Sequence, residues 1–235
     1  MLLTPGAAIN KMTLHSKQVP QRIKPSIFNA LESLTLLTTF IFTEQFDRNL
    51  DLEGVEQSLQ RSVLEVLHNF LQSITEPNHP LGAATFAIFS ISIVLSIAGF
   101  KARKINDVLA TYLSIAWAVE LLTMNVLLLS PLKSPTLLLI ELVLFIPVLV
   151  VAFSWWYWRI NLPSAEGNTP AIEFAHPIPT PADYLMLSLG TFIKNNVTSH
   201  KMKTKTAKYT SIANSFIALD ILGLTLSRAV SVAIN

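Results

Sequence analysis

Long, uninterrupted apolar segments restrict the fold of this sequence more than any other feature. The clearest is Leu81–Phe100, which runs for twenty residues without a charged side chain and is followed by Lys101, Arg103 and Lys104. A bilayer core about 30 Å thick is crossed by about 20 apolar residues of α-helix. Lipid offers the backbone no hydrogen-bond partners, so such segments are expected to be helical. The sequence therefore predicts an all-α, polytopic transmembrane protein.

Four further segments have the length and composition of membrane spans, although polar residues lie inside them. In the segment 26–46, Glu32 and Glu44 restrict the uninterrupted apolar run to Ser33–Thr43, so a helix on the surface is the alternative there. Counting all of them, we predict about five spans, at 26–46, 81–100, 106–130, 136–158 and 210–234.

Two other segments are predicted to be helices that do not span. Between residues 51 and 74, apolar residues recur at three- and four-residue steps with charges between them, which predicts an amphipathic helix. Its polar face is acidic, so we expect it to pack on the protein's own surface or on a partner subunit rather than on anionic lipid. The second segment, Ala182–Ile193, is too short to cross a bilayer. It should dip into the membrane and return, lie on the membrane surface, or pack among other helices.

The chain divides into a basic N-terminal tail (1–25), a group of N-terminal transmembrane helices (26–135) and a C-terminal module (136–235). Within that module, five prolines between positions 163 and 181 predict an extended linker without helix over 161–181.

Basic residues occur in the N-terminal tail, at Lys101–Lys104 and over Lys194–Lys208, whereas the segment 44–76 is acidic. Basic loops tend to stay on the cytoplasmic side of a membrane. With five spans, all three basic clusters fall on the same side. We therefore predict a cytoplasmic N-terminus for this integral, multi-pass membrane protein.

Composition argues against several classes of function. The chain has no cysteine, which removes disulfides, thiolate metal sites and cysteine nucleophiles. Its net charge of +2 gives no basis for nucleic-acid binding. No phosphate-binding glycine loop, HExxH motif or GxSxG motif is present, and the five histidines are scattered. We expect a protein that is not an enzyme and binds no cofactor or metal, with the lipid bilayer and either its own copies or other membrane subunits as partners.

Four ionisable residues lie inside the predicted spans: Glu120, Glu141, Asp220 and Arg228. A charged side chain at bilayer depth costs several kcal/mol unless it is paired or hydrated, so each is a candidate site residue. One explanation is structural, namely an interhelical salt bridge or hydrogen bond, such as one from Arg228 to Glu120 or Glu141. The other is an ion or proton pathway, for which the deeper Asp220 is the most informative residue. For Arg228, which is near the end of the last span, an alternative is a side chain that extends to the membrane interface.

The order span, short apolar segment, span over 136–235 is that of a pore module. Pro181–Thr191 reads PADYLMLSLGT and precedes a basic stretch and the last span, and it resembles the pore helix of the tetrameric potassium-channel superfamily. The resemblance implies an oligomeric pore. The family's filter signature TVGYGD is absent, and Lys194–Ser199 occupies its place. A carbonyl filter needs those glycines, so selective potassium conduction by the usual mechanism is not expected. The residues expected to line a pore are Lys194, Asn195, Asn196 and Asp220.

Two hypotheses about function follow. The first is a channel-like, ion-permeable homo-oligomer built on the C-terminal module. The second is a non-catalytic accessory or scaffold subunit of a larger membrane complex, in which buried charges join helices and the acidic amphipathic helix meets a partner. A small-molecule transporter ranks third, because the sequence has no inverted repeat.

Overall fold

The computed structural model describes residues 25–49, 59–100, 102–128, 135–165, 170–176, 178–193 and 200–234. Over these residues the chain forms seven helices and one pair of short strands, which confirms the predicted all-helical class. In chain order the elements are α1 (Pro25–Asn49), α2 (Leu59–Thr75), α3 (Pro80–Ile97), α4 (Arg103–Leu128), α5 (Pro135–Ala165), β1 (Ile172–Phe174), α6 (Pro181–Phe192), β2 (His200–Met202) and α7 (Lys205–Ile234).

Four of the described helices are long and apolar enough to cross a bilayer. These segments lie in α3, α4, α5 and α7, at Pro80–Ile97, Arg103–Leu128, Leu139–Leu162 and Lys205–Ala233. They are consistent with the predicted multi-pass membrane protein. The fifth predicted span, 26–46, corresponds to α1, which is not among the four.

Several polar residues of helices α1 and α3 face the protein interior. On α1, Glu32, Ser33 and Thr43 are buried, and on α3 the buried residues include Ser92 and Ser96. Small side chains at a helix interface let two backbones approach closely. Apolar contacts fill the rest of this interface, including the tilted ring pair Phe40–Phe89, whose centroids are 5.4 Å apart.

Helix α2 corresponds to the predicted amphipathic helix over 51–74, of which residues 51–58 lie outside the described ranges. It packs on the protein's own helices α1, α3 and α4. Its buried face presents Leu71 and Ile74 to Ala116 of α4. A turn after α2 leads into α3, and it is tight. A side chain at Gly82 would overlap the backbone carbonyl of Glu76, which explains the glycine there.

Helices α5, α6 and α7 pack together as a unit, with α6 held against both longer helices. The strands β1 and β2 are antiparallel, with Ile172 opposite Met202 and Phe174 opposite His200. Strand β1 precedes α6 and pairs with β2, which follows it, so the two chain segments that flank α6 lie side by side. This arrangement agrees with packing among other helices, one of the alternatives for 182–193.

The prediction of an extended, helix-free linker over 161–181 is wrong at its N-terminal end, where α5 continues to Ala165. Farther along, the linker contains the short strand β1, which was not predicted. The physical reason is alternation: Ile172 and Phe174 are buried while Glu173 between them is exposed, so this short segment has the two-residue period of a half-buried strand. The side chain of Asn161 fixes the strand by accepting a 2.9 Å hydrogen bond from the Ile172 N–H.

Candidate functional site

The predicted site residue Asp220 lies on α7 and makes a polar contact with α4. Its Oδ2 accepts a hydrogen bond from Nδ2 of Asn125 at 2.9 Å. The same Asn125 amide also donates to the Leu121 carbonyl on its own helix, at 2.9 Å. Asn125 therefore fixes one oxygen of the carboxylate and joins two long helices at this level.

Asp220 also reaches the surface of the protein, where it borders a cavity of about 330 Å³. Phe216, Leu219 and Gly223 on α7 line the same cavity. Both Phe216 and Leu219 are largely exposed. A carboxylate thus sits at the edge of an otherwise apolar outer face of α7.

The other three charged candidates are buried, at Glu120 on α4, Glu141 on α5 and Arg228 on α7. The predicted ion pair between Arg228 and one of these glutamates is not formed in the part of the chain that the structure describes. Arg228 is only 7% exposed, and its Nε and Nη2 atoms have no hydrogen-bond partner there. The sequence places opposite charges in two spans, but it does not give the depth or the rotation of either helix. It therefore does not show whether the two side chains meet.

Lys194, Asn195 and Asn196, the other residues expected to line a pore, lie outside the described residues.

A second polar cluster, which was not predicted from the sequence, lies at the N-terminal end of α4. There, Arg159 of α5 binds Asp107 of α4 through two hydrogen bonds, Nε to Oδ1 at 2.5 Å and Nη2 to Oδ2 at 2.7 Å. The side chains are 17% and 39% exposed, respectively. Such a two-point contact is stronger and more directional than a single hydrogen bond. It locks the first turn of α4 to the last part of α5.

Beside this pair lies a buried network of side-chain oxygens from three helices. The Ser33 hydroxyl lies 3.2 Å from that of Ser92 and 3.4 Å from that of Ser96, and it donates to Asn106 Oδ1 at 3.1 Å. Ser92 also donates to Asn106 Oδ1, at 2.6 Å. Asn106 thereby holds α1, α3 and α4 together.

Glu32, next to Ser33, is 4% exposed and belongs to the same cluster. Asn106 lies close to it, but neither carboxylate oxygen accepts a hydrogen bond of normal geometry from a described residue. The charged groups that act on it are Arg159, Asp107 and Arg103. One sequence signal could have found this cluster: Glu32, Asp107 and Arg159 all fall near the ends of predicted spans that share one side.

Around α6 the polar side chains serve the packing of the C-terminal unit. Asn161 donates to the Tyr184 hydroxyl at 2.8 Å, and burial raises the pKa of Tyr184. Deeper along α7, Asn214 donates to the Tyr157 hydroxyl at 3.1 Å and to Thr191 at 3.2 Å. These bonds attach both ends of α6 to its neighbours.

The first turn of α6 is capped by Asp183. Its Oδ2 accepts hydrogen bonds from the Thr180 N–H at 2.6 Å and from the Thr180 hydroxyl at 2.7 Å, and it lies 2.9 Å from Nε2 of His176. Burial raises the pKa of Asp183, but the bonds from Thr180 and His176 outweigh burial and hold that pKa below its ordinary value.

Over the described ranges, no group of three or more His, Cys, Asp or Glu residues is placed to hold a metal ion. In comparisons with known proteins, no family model, no curated protein and no solved structure matches this chain.

Proposed function

We propose that this chain is an ion-permeable membrane protein that works as a homo-oligomer, with a channel-like C-terminal module and no potassium filter. The observation that carries the proposal is the position of Asp220. It lies fifteen residues after Lys205, the first residue of the 29-residue span in α7. At 1.5 Å per residue this is about 22 Å along the helix, near its middle.

A carboxylate that reaches the outer face of a span at this depth needs water or a partner, because exposure to lipid costs several kcal/mol. Among the described residues, Asn125 donates to one of its two oxygens, Oδ2. In an oligomer whose α7 helices face a common axis, Asp220 would border the ion path and be hydrated there. The packing of α6 between α5 and α7 supports the same arrangement, because a short helix held between two spans is the order of a pore module.

A second function is favoured by the rest of the α7 surface. Its exposed face carries Ile212, Phe216, Leu219 and Leu226, all more than 60% exposed. In a span such a face suits contact with lipid or with another apolar helix. If that helix belongs to a different protein, the chain is an accessory or scaffold subunit, and Asp220 then meets a polar group of the partner.

We also propose that α1 is a fifth span. Its buried side combines polar residues with Leu36 and Phe40, whereas Leu31, Leu34, Ile41 and Phe42 point outward and are exposed. An outward face of this kind suits lipid and would be unfavourable in water. With α1 as a span, the N-terminus and the basic loops share one side, as the positive-inside pattern requires.

The mass of the purified particle in lipid nanodiscs, read together with single-channel current, separates these functions. We expect a homo-oligomer whose current falls or changes its ion preference in Asp220→Asn, whereas Glu173→Gln, an exposed carboxylate on β1, leaves it unchanged. A homo-oligomer with no current, or with currents identical in wild type and Asp220→Asn, would refute the assignment of the ion path. Other proteins present at a fixed ratio would favour the accessory subunit.

Topology can be measured independently of conduction. The chain has no cysteine, so single cysteines can be introduced without removing others. We expect a cysteine at Asn78 to react with an impermeant reagent from one side, and cysteines at Lys104 and Lys201 from the other. Labelling of all three from the same side would contradict the proposed arrangement of spans.

A further inference from the structure

The outer face of α7 changes its chemistry along the first turns of the helix. Lys205, Lys208, Tyr209 and Ile212 recur at three- and four-residue steps, so they lie on one side of the helix. All four side chains are exposed, Tyr209 by 68% and Ile212 by 63%. From the start of the span inward, this basic face of α7 therefore presents two ammonium groups, then a phenol, then a hydrocarbon side chain.

This order matches the layers of one leaflet of a bilayer. Lysines near the end of a span extend their ammonium groups to the level of the headgroups, and tyrosine is enriched at the membrane–water interface. Lys205 is the first residue of the span in α7. Ile212 lies seven residues further on, about 10 Å along the helix axis, where acyl chains begin. The depth of each side chain thus suits the part of a phospholipid that would meet it.

The two lysines are also unfavourable where they are. The N-terminus of a helix is the positive end of its dipole, so cations in the first turn are disfavoured and anions are favoured. The first turn of α7 has two lysines and no acidic residue. A local rule that is broken without compensation is expected at functional sites. A bound anion would supply that compensation, because the lysines and the helix dipole both attract it.

The neighbouring charges leave this end of α7 positive. In the strand pair beside it, Lys203 Nζ lies 2.6 Å from Oε2 of Glu173, and Lys201 acts on the same carboxylate. Glu173 is therefore shared by the two lysines of that segment. Lys205 and Lys208 form no ion pair with any residue in the ranges that the structure describes.

Other carboxylates at this end of the protein are already engaged. Asp183 in the first turn of α6 accepts hydrogen bonds from Thr180 and lies 2.9 Å from Nε2 of His176. Two acidic and two basic residues of the second polar cluster act on one another and balance in charge: Glu32, Asp107, Arg103 and Arg159. Neither group cancels the charge of the two lysines on α7.

We propose that the basic face of α7 binds an anionic phospholipid, with the phosphate between Lys205 and Lys208 and an acyl chain along Ile212. Lys208 and Ile212 are turned by about 80–120° around the helix from Asp220. The lipid site and Asp220 are therefore on different sides of α7. The inference rests on α7 being a span, and it does not depend on conduction.

The test counts the lipids that the purified full-length protein retains in detergent, by native mass spectrometry. The protein is offered equal amounts of phosphatidylglycerol, phosphatidylcholine and phosphatidylethanolamine with identical acyl chains, of which only the first has a net negative charge. A lysine near the surface contributes about fivefold to the binding of anionic lipid, so we expect a preference of about 25-fold for phosphatidylglycerol. Equal retention of the three lipids, or a preference for a zwitterionic one, would overturn the proposal.

Three variants locate the site. Lys208→Gln should lower the preference about fivefold, and the double variant Lys205→Gln/Lys208→Gln should abolish it. Lys104→Gln is the control, because Lys104 is also exposed in the first turn of a span but has Asp107 one turn away. It should keep the wild-type preference. A loss in Lys104→Gln as large as in Lys208→Gln would show a response to net charge alone and refute the site. If the double variant does not fold, the comparison of these two single variants still decides.

One further arm separates a lipid from a soluble anion. Glycerol phosphate carries the phosphate without acyl chains. We expect it not to displace phosphatidylglycerol at equal concentration, because it lacks the apolar contacts along Ile212. Displacement at equal concentration would show that the lysines bind a soluble phosphate, and would overturn the lipid assignment.

Discussion

The ion pair between Asp107 and Arg159 should contribute measurably to stability, and a double-mutant cycle can isolate its energy. The cycle compares the free energies of unfolding of Asp107→Asn, Arg159→Gln, the double variant and the wild type. The two hydrogen bonds, at 2.5 and 2.7 Å, join different helices. Because they are interhelical, breaking them affects the packing of α4 on α5 and not only one local turn.

The expected coupling energy is intermediate. A net hydrogen bond to a charged group contributes about 1.5–3 kcal/mol, whereas fully exposed ion pairs contribute about 0.2–1 kcal/mol. Asp107 is 39% exposed, so water screens part of the attraction. We therefore expect a coupling of about 1–2 kcal/mol.

The chain offers a control in Arg61 and Glu65, an i,i+4 pair on α2 whose side chains are 26% and 50% exposed and whose charged atoms lie 2.9 Å apart. For this pair we expect about 0.3–0.5 kcal/mol. Unfolding can be followed in detergent micelles by tryptophan fluorescence, because Trp158 adjoins Arg159 in sequence. A coupling between Asp107 and Arg159 no larger than that of the control pair would refute the reasoning. High salt should also weaken the control coupling more.

Three further predictions concern the packing of other elements. Gly82→Ala should lower the stability by about 1–3 kcal/mol, measured by thermal unfolding, because the new methyl group overlaps the Glu76 carbonyl. Asn161→Leu should speed amide hydrogen exchange at Ile172, because it removes the acceptor of that N–H; unchanged exchange would contradict the role of Asn161. The pKa of Asp183 is lowered in the folded state, so the ionised side chain stabilises the fold above the ordinary pKa of 3.8. This stabilisation is lost as the pH falls through the lower pKa of the folded state. Asp183→Asn should therefore lower the stability at pH 7 and have little effect near pH 2.

The helices were predictable because each is a long apolar or amphipathic run, and local sequence decides such elements. Every one of the predicted helical segments corresponds to a helix, and the boundaries differ by several residues at most where both ends are described. The strand β1 was not predicted, because three residues are too few for a periodic signal and the five prolines around it indicate an open linker. Its pairing partner, His200–Met202, lies more than twenty residues away.

Contacts between helices were much harder to predict. The pattern identified Glu120, Glu141, Asp220 and Arg228 as buried or polar positions within spans, but it gave no depth or rotation for the helices that carry them. A salt bridge from Arg228 to a glutamate was one of the expected arrangements, whereas the interhelical hydrogen bond that the structure shows joins Asp220 to the uncharged Asn125. Nothing in the sequence distinguishes Asn125 from the other polar residues as a partner of Asp220. This pairing could be identified only from the tertiary structure.

If α1 is the proposed fifth span, the polar residues on its inner face make its entry into a membrane depend on helices that are synthesised after it. Alone in lipid, Glu32 and Ser33 would meet hydrocarbon, whereas in the folded protein Ser33 is bonded to residues of α3 and α4. We expect α1 to insert inefficiently from the translocon and to become stable in the bilayer only after α3 and α4 have been synthesised. A chain truncated before α3 would then be poorly inserted and open to degradation, although its first helix is complete.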